Sequence, residues 1–116
     1  MNKLDSLVPP SLREKARPCG SEFVYHYPDV LEVIRVASQK SIAILGSEFF
    51  RIDYDGLLTE AISGYELHLS DNWANFVREN NELAVCFVEQ NRKEGRYGFI
   101  LTSTSEEEFG KLTQRI

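Results

Sequence analysis

The chain has only two histidines and two cysteines with which to do imidazole or thiol chemistry. His68 lies between two carboxylates, in Tyr65-Glu66-Leu67-His68-Leu69-Ser70-Asp71. Carboxylates beside an imidazole orient the ring and tune its pKa, which suits a general acid or base. A small hydrolase built on Glu66, His68 and Asp71 is therefore one reading. The other is a solvent-facing histidine on the polar side of a strand. No nucleophile motif of the Gly-x-Ser-x-Gly type accompanies the cluster, and no phosphate-cradling glycine loop occurs. His26 sits in Tyr25-His26-Tyr27, ahead of the first helix. Cys19 and Cys86 are isolated, so no zinc site is expected. Cys86, within Ala84-Val85-Cys86-Phe87-Val88, reads as a small packed residue. Cys19, in Arg17-Pro18-Cys19-Gly20, reads as the more exposed thiol. No catalytic set, metal or cofactor is expected.

Charge carries more information. The chain has 13 Lys+Arg and 18 Asp+Glu, a net of −5. Residues 46–82 concentrate it, with eight carboxylates against only Arg51 and Arg78. Such a stretch opposes binding to phosphate backbones, so nucleic acid is not the expected partner. It favours a basic protein, because charge complementarity speeds association. The plainer reading is a surface that keeps the protein in solution. Asp53, Asp55, Glu60, Glu66 and Asp71 are the candidate charged contacts. Tyr54 and Tyr65, interleaved with them, are the candidate aromatic anchors, since a few central aromatics carry most of an interface's energy. Trp73 lies on an apolar helical stripe and reads first as core.

These residues need a scaffold. At 116 residues, 42% hydrophobic and 27% charged, the chain matches one ordinary globular domain. Residues 1–20 read as an irregular arm, broken at Pro9-Pro10 and pinned by Leu4, Leu7, Val8 and Leu12. A turn of helix is expected after Pro10. Residues 21–116 form the domain. A helix starts near Pro28 and ends near Gln39-Lys40, with Val30, Leu31, Ile34 and Ala37 at helical spacing. Ser41–Leu45 is a short strand and Gly46-Ser47 a turn. Residues 48–53 form a second strand, Asp55-Gly56 a hairpin turn and Leu57–Glu60 the returning strand. Tyr65–Leu69 alternates as another. The longest helix follows, capped by Ser70 or Asp71. Its stripe runs Trp73, Phe76, Val77, Leu83, Ala84, Phe87, Val88, and places Asn80 in the interior. Tyr97–Thr102 is a strand, and Ser105-Glu106-Glu107-Glu108 is a capping box opening the last helix, which Phe109 and Leu112 dock. This order predicts an α+β fold: one small, mostly antiparallel sheet packed on one face by helices.

One stretch resembles a known family. An apolar helix leads into Ser41-Ile42-Ala43-Ile44-Leu45-Gly46 and a strand pair ending at Tyr54-Asp55-Gly56. A Trp-x-x-Phe-Val helix (Trp73 to Val77) and the strand Tyr97 to Leu101 follow. Over residues 28–102 this is similar to the immunity proteins of bacterial polymorphic-toxin systems, most closely the immunity protein 40 family. The resemblance implies a non-enzymatic inhibitor that binds a cognate toxin with a basic active-site face, for example a nuclease. An acidic surface would mimic the phosphate such a toxin holds. The alternatives are a dimeric adaptor pairing through its sheet edge, which would make a homodimer, and the hydrolase above. No apolar run approaches the roughly 18 residues of a membrane span, and Met1–Asp5 lack the apolar core of a signal peptide. The expected location is the cytoplasm, without membrane contact.

Overall fold

Alternation along two strands decides where the core lies. The computed structural model describes residues 2–52, 58–63, 69–70, 72–92 and 97–113, with 58–63 and 112–113 described by backbone only. Phe49 on β3 (Ala43–Ile52) and Phe99 and Leu101 on β5 (Tyr97–Thr104) point to one side of the sheet, into the main apolar cluster. Phe50 and Ile52 on β3 and Ile100 on β5 point to the other side. This is the period-2 geometry of a strand buried on both faces. β4 (Leu58–Ser63) completes an antiparallel sheet of order β4-β3-β5.

Helices α3 (Asp29–Gln39) and α4 (Trp73–Gln90) cover the Phe49 side. Val30, Val33, Ile34 and Ala37 of α3 meet Ala84, Phe87 and Val88 of α4 over Phe49 and Phe99. A hairpin of β1 (Arg17–Cys19) and β2 (Glu22–Val24) lies along the edge of β5, with Phe23 packed against the main cluster and Val24 against Ile52 and Ile100 on the other side. Tyr25 then bridges to Phe99, with both backbone hydrogen bonds at 2.8 Å. The fold is α+β, as the sequence order predicts. The separate β1–β2 hairpin is the feature that order did not reveal.

The close approach of Val24 and Tyr25 to β5 depends on Gly98. A Cβ there would overlap Val24 Cγ1 and stand 3.3 Å from the Tyr25 carbonyl oxygen. Val24 is fully buried, so it has little room to yield. Gly98→Ala should cost about 1–2 kcal/mol, the range of a modest overpacking. Urea unfolding checks this: the loss should shrink when Val24→Ala is added, and an unchanged loss would place the strain elsewhere.

Several local expectations need correction. Gly46-Ser47 is not a turn. β3 runs through it for ten residues, and its pairing with β5 shifts register between Ile44 and Gly46, so the glycine marks a β-bulge. The first twenty residues are not irregular. Asn2 caps α1 (Lys3–Leu7) by accepting from the Asp5 N–H at 2.8 Å, and the expected turn of helix is α2 (Pro10–Arg13), which opens on Pro10 itself. Leu4 and Val8 belong to the main cluster, whereas Leu7 is exposed. α4 is capped by Asn72, whose side chain accepts from the Asn75 N–H at 3.1 Å, rather than by Ser70 or Asp71. The capping box of α5 (Glu106–Thr113) does form: Ser105 Oγ donates to Glu108 Oε1 at 2.9 Å and accepts from the Glu108 N–H.

Candidate functional site

In the sequence β4 contains Glu60 and falls between Asp53 and Asp55 on one side and Glu66 and Asp71 on the other. Ile52 pairs with Leu58 and Glu48 with Ser63. A six-residue strand spans about 17 Å between its ends. Asp53, Tyr54, Asp55, Tyr65, Glu66 and Asp71 lie outside the described residues, and so do His68 and the Asp55-Gly56 turn. Glu60 falls in β4, between Thr59, opposite Arg51, and Ile62, opposite Phe49. Among the described residues β4 is an edge strand. The hydrolase cluster of Glu66, His68 and Asp71 likewise falls outside them.

The described polar groups that pair in the interior hold the fold together. Asn81 is buried on α4 and makes three hydrogen bonds beyond its own helix. Its Oδ1 accepts from the Ile44 N–H at 2.8 Å, and its Nδ2 donates to the Ile42 carbonyl at 3.0 Å and to Ser38 Oγ at 2.9 Å. Asn80, also buried as its stripe position predicts, donates to the Phe76 carbonyl at 2.8 Å. Asp5 is buried on α1, where Tyr25 Oη donates to its carboxylate at 2.6 Å. Burial raises the Asp5 pKa, and the Tyr25 bond, the N-terminus and Arg13 only partly offset that. Burial, then the Asp5 carboxylate, pushes the Tyr25 phenol far above its ordinary value.

His26 is a positioning group. Its Nδ1 lies 2.9 Å from the Tyr97 carbonyl, which can only accept, so Nδ1 carries the proton. Tyr97 stacks on Phe49 with ring centres 5.4 Å apart. Trp73 is half-buried against Phe76 and Phe109, and its Nε1 donates to the Ser41 carbonyl at 3.0 Å. Ser41 itself takes the left-handed conformation (φ 56°) that ends α3. The two cysteines exchange the roles their sequence context suggests. Cys86 is exposed and Cys19 is half-buried beside the Val24 cluster. Cys86 follows Val85 on the outward side of α4, off the stripe that Ala84, Phe87 and Val88 define.

Beside Cys86 lies a feature that no motif announces. A groove of 490 Å³ runs between α3 and α4, lined by Leu31, Ile34 and Arg35 on one helix and Glu82, Val85 and Cys86 on the other, with Ser38 and Asn81 at one end. The helices are antiparallel: Ser38 meets Asn81 at that end, and Tyr27, just before α3, donates to Glu89 at the other. Among the described residues no three His, Cys, Asp or Glu side chains gather as a metal site. No described helix is long and apolar enough to cross a membrane.

The arrangement defines a small α+β protein with a helix-backed sheet. Compared with family models, curated proteins and solved structures, the chain finds no match.

Proposed function

We propose that this chain is a binding protein that neutralises a basic partner, in the manner of a toxin immunity protein. Asp53, Asp55, Glu60, Glu66 and Asp71 supply the charged contacts, with Tyr54 and Tyr65 as anchors. The observation that carries this reading is the eight carboxylates against two arginines in residues 46–82. Segments between regular elements are where binding residues concentrate. Such a protein works by occupying its target, and a basic toxin would be drawn to it by long-range attraction.

The test uses the full chain and a variant carrying Asp53→Asn, Asp55→Asn, Glu60→Gln and Glu66→Gln. Both are used to capture proteins from an extract of the source cells at low and high salt. The expected result is one basic protein held by the wild type at low salt and released by high salt. That protein should arrest growth when expressed alone and be harmless when co-expressed with the wild-type chain. The fourfold variant should associate with it about tenfold more slowly at low salt, the lower end of electrostatic steering. Equal association by both chains, or a captured protein whose toxicity the chain does not relieve, would overturn the reading.

A further inference from the structure

The first helix is anchored by a group that can change its charge. Five residues are too few for a helix to persist alone in water, so α1 exists only while docked. It rests on α3 and β5, and its Leu4 and the adjoining Val8 enter the main cluster. Between them Asp5 turns its carboxylate inward and accepts the Tyr25 hydroxyl at 2.6 Å, which joins α1 to the residue after β2. A buried carboxylate bonded to a neutral phenol keeps much of its desolvation cost. Behind α1 the chain breaks at Pro9-Pro10, two residues with no N–H to donate, so its helical ladder does not continue into α2. The charges that act on Asp5 are the amino terminus and Arg13 of α2. Both favour its ionised form, and neither cancels the effect of burial. The groups on the elements beneath are engaged elsewhere. On α3 Asp29 meets Lys15 and Glu32 meets Arg35, and on β5 Tyr97 stacks on Phe49. His26, next to Tyr25, is bonded to the Tyr97 carbonyl. Burial leaves the Asp5 pKa above its ordinary value, so docked α1 holds that proton more tightly than released α1 does. Docking is therefore strongest below the ordinary carboxyl range and weakens as pH rises through the docked pKa.

We propose that α1 is a strap that releases from α3 and β5 as a unit while the rest of the fold stays intact, with the charge on Asp5 setting how often it opens. Local openings range from fraying ends to global unfolding. A short helix with a proline break behind it and a polar anchor belongs near the low end of that range. With Asp5 protonated, the neutral acid still accepts from Tyr25 and the strap stays shut. With Asp5 ionised, release returns the charge to water and exposes the Tyr25 hydroxyl and the part of the main cluster that Leu4 and Val8 fill. The device uses none of the carboxylates of the neutralising function above, so either can stand if the other fails.

Amide hydrogen exchange of the full chain reads the opening, followed by NMR between about pH 4 and pH 7 and corrected for intrinsic rates. The reporter on the strap is Val8, whose N–H bonds to the Leu4 carbonyl at 3.1 Å. The reporters on the body are Tyr25 and Ile44, whose N–H groups bond to the Phe99 carbonyl and to Asn81 Oδ1, both at 2.8 Å. Val8 should open about tenfold or more as often as Tyr25 and Ile44. Its open fraction should rise with pH by up to about tenfold per unit, the limit for one proton. Tyr25→Phe should raise the Val8 open fraction about tenfold or more at pH 7, because a hydrogen bond to a charged group contributes at least that factor. Asp5→Asn keeps an acceptor for the phenol and loses the charge, so its Val8 open fraction should be flat with pH. Exchange of Val8 only together with Ile44 would overturn the proposal. So would an open fraction that falls as pH rises, or a pH dependence retained in Asp5→Asn, which would belong to His26 or the amino terminus.

Discussion

Asn81→Ala should destabilise the fold by about 3 kcal/mol, more than most single substitutions. The side chain is 3% exposed and joins three elements at one point. It accepts from Ile44 on β3, donates to Ile42 just ahead of that strand, and donates to Ser38 at the end of α3. Alanine removes the acceptor of one buried donor and the donor to one buried carbonyl. Each such loss costs about 1–3 kcal/mol, since the stranded group cannot recover its bond to water. Asn81→Asp should do no better. Its carboxylate still accepts from Ile44 but cannot donate to the Ile42 carbonyl, and it places a charge in the interior. Ser38→Ala is the matching control. Ser38 is exposed, so water replaces its share and the loss should stay below about 1 kcal/mol. Urea unfolding of the three variants measures all of this. If Asn81→Ala lost no more than Ser38→Ala, the amide would be a bystander and some other contact would fix α4 on the sheet.

Asn81 also marks the boundary of what sequence pattern can show. The stripe on α4 is legible from spacing, and Asn80 falls on it. Asn81 satisfies the same spacing, four after Val77 and three before Ala84, yet nothing local distinguishes a buried amide with distant partners from a surface one. Ile44 lies 37 positions away in sequence. Helix ends followed local chemistry where a side chain caps its own helix, as Ser105 and Glu108 do on α5. Local chemistry does not single out the cap where three capping types stand in a row, Ser70-Asp71-Asn72, of which Asn72 caps α4. Gly46-Ser47 misled because a glycine in an apolar run has the same composition in a bulge as in a turn. Cys86 misled because its neighbours are apolar; only its angular position on the helix shows that it faces outward. The candidate acidic residues, all but Glu60 outside the described residues, are legible as composition. The groove is not, because its existence depends on the spacing of two helices far apart in sequence and not on any residue within either.

Tyr25→Phe should cost about 2–3 kcal/mol at neutral pH, and the loss should shrink on acidification. The Tyr25 hydroxyl donates at 2.6 Å to a carboxylate that is 3% exposed, and a hydrogen bond to a charged group contributes about 1.5–3 kcal/mol. The pH dependence follows from the direction of the Asp5 shift. Burial already raises the folded-state pKa of Asp5 above the unfolded value, so the folded form binds the proton more readily and the penalty of the buried charge applies in full only above the folded pKa. Stability from this group therefore rises as pH falls through the folded pKa toward the unfolded one. Without the phenol, one of the influences that lower the Asp5 pKa is gone, so the folded pKa climbs further. The variant should then recover more stability than the wild type as pH is lowered from 7 toward 4. Phenol ionisation plays no part in that window, because Tyr25 titrates far above it. The decisive comparison is the free energy of unfolding of both proteins across that range. A gap that stays constant would mean Asp5 is already neutral at pH 7, and the bond would then be an ordinary neutral one between a carboxylic acid and a phenol. A narrowing gap would show that the first helix is held on the core by a buried charge, with α1 docking more tightly in acid.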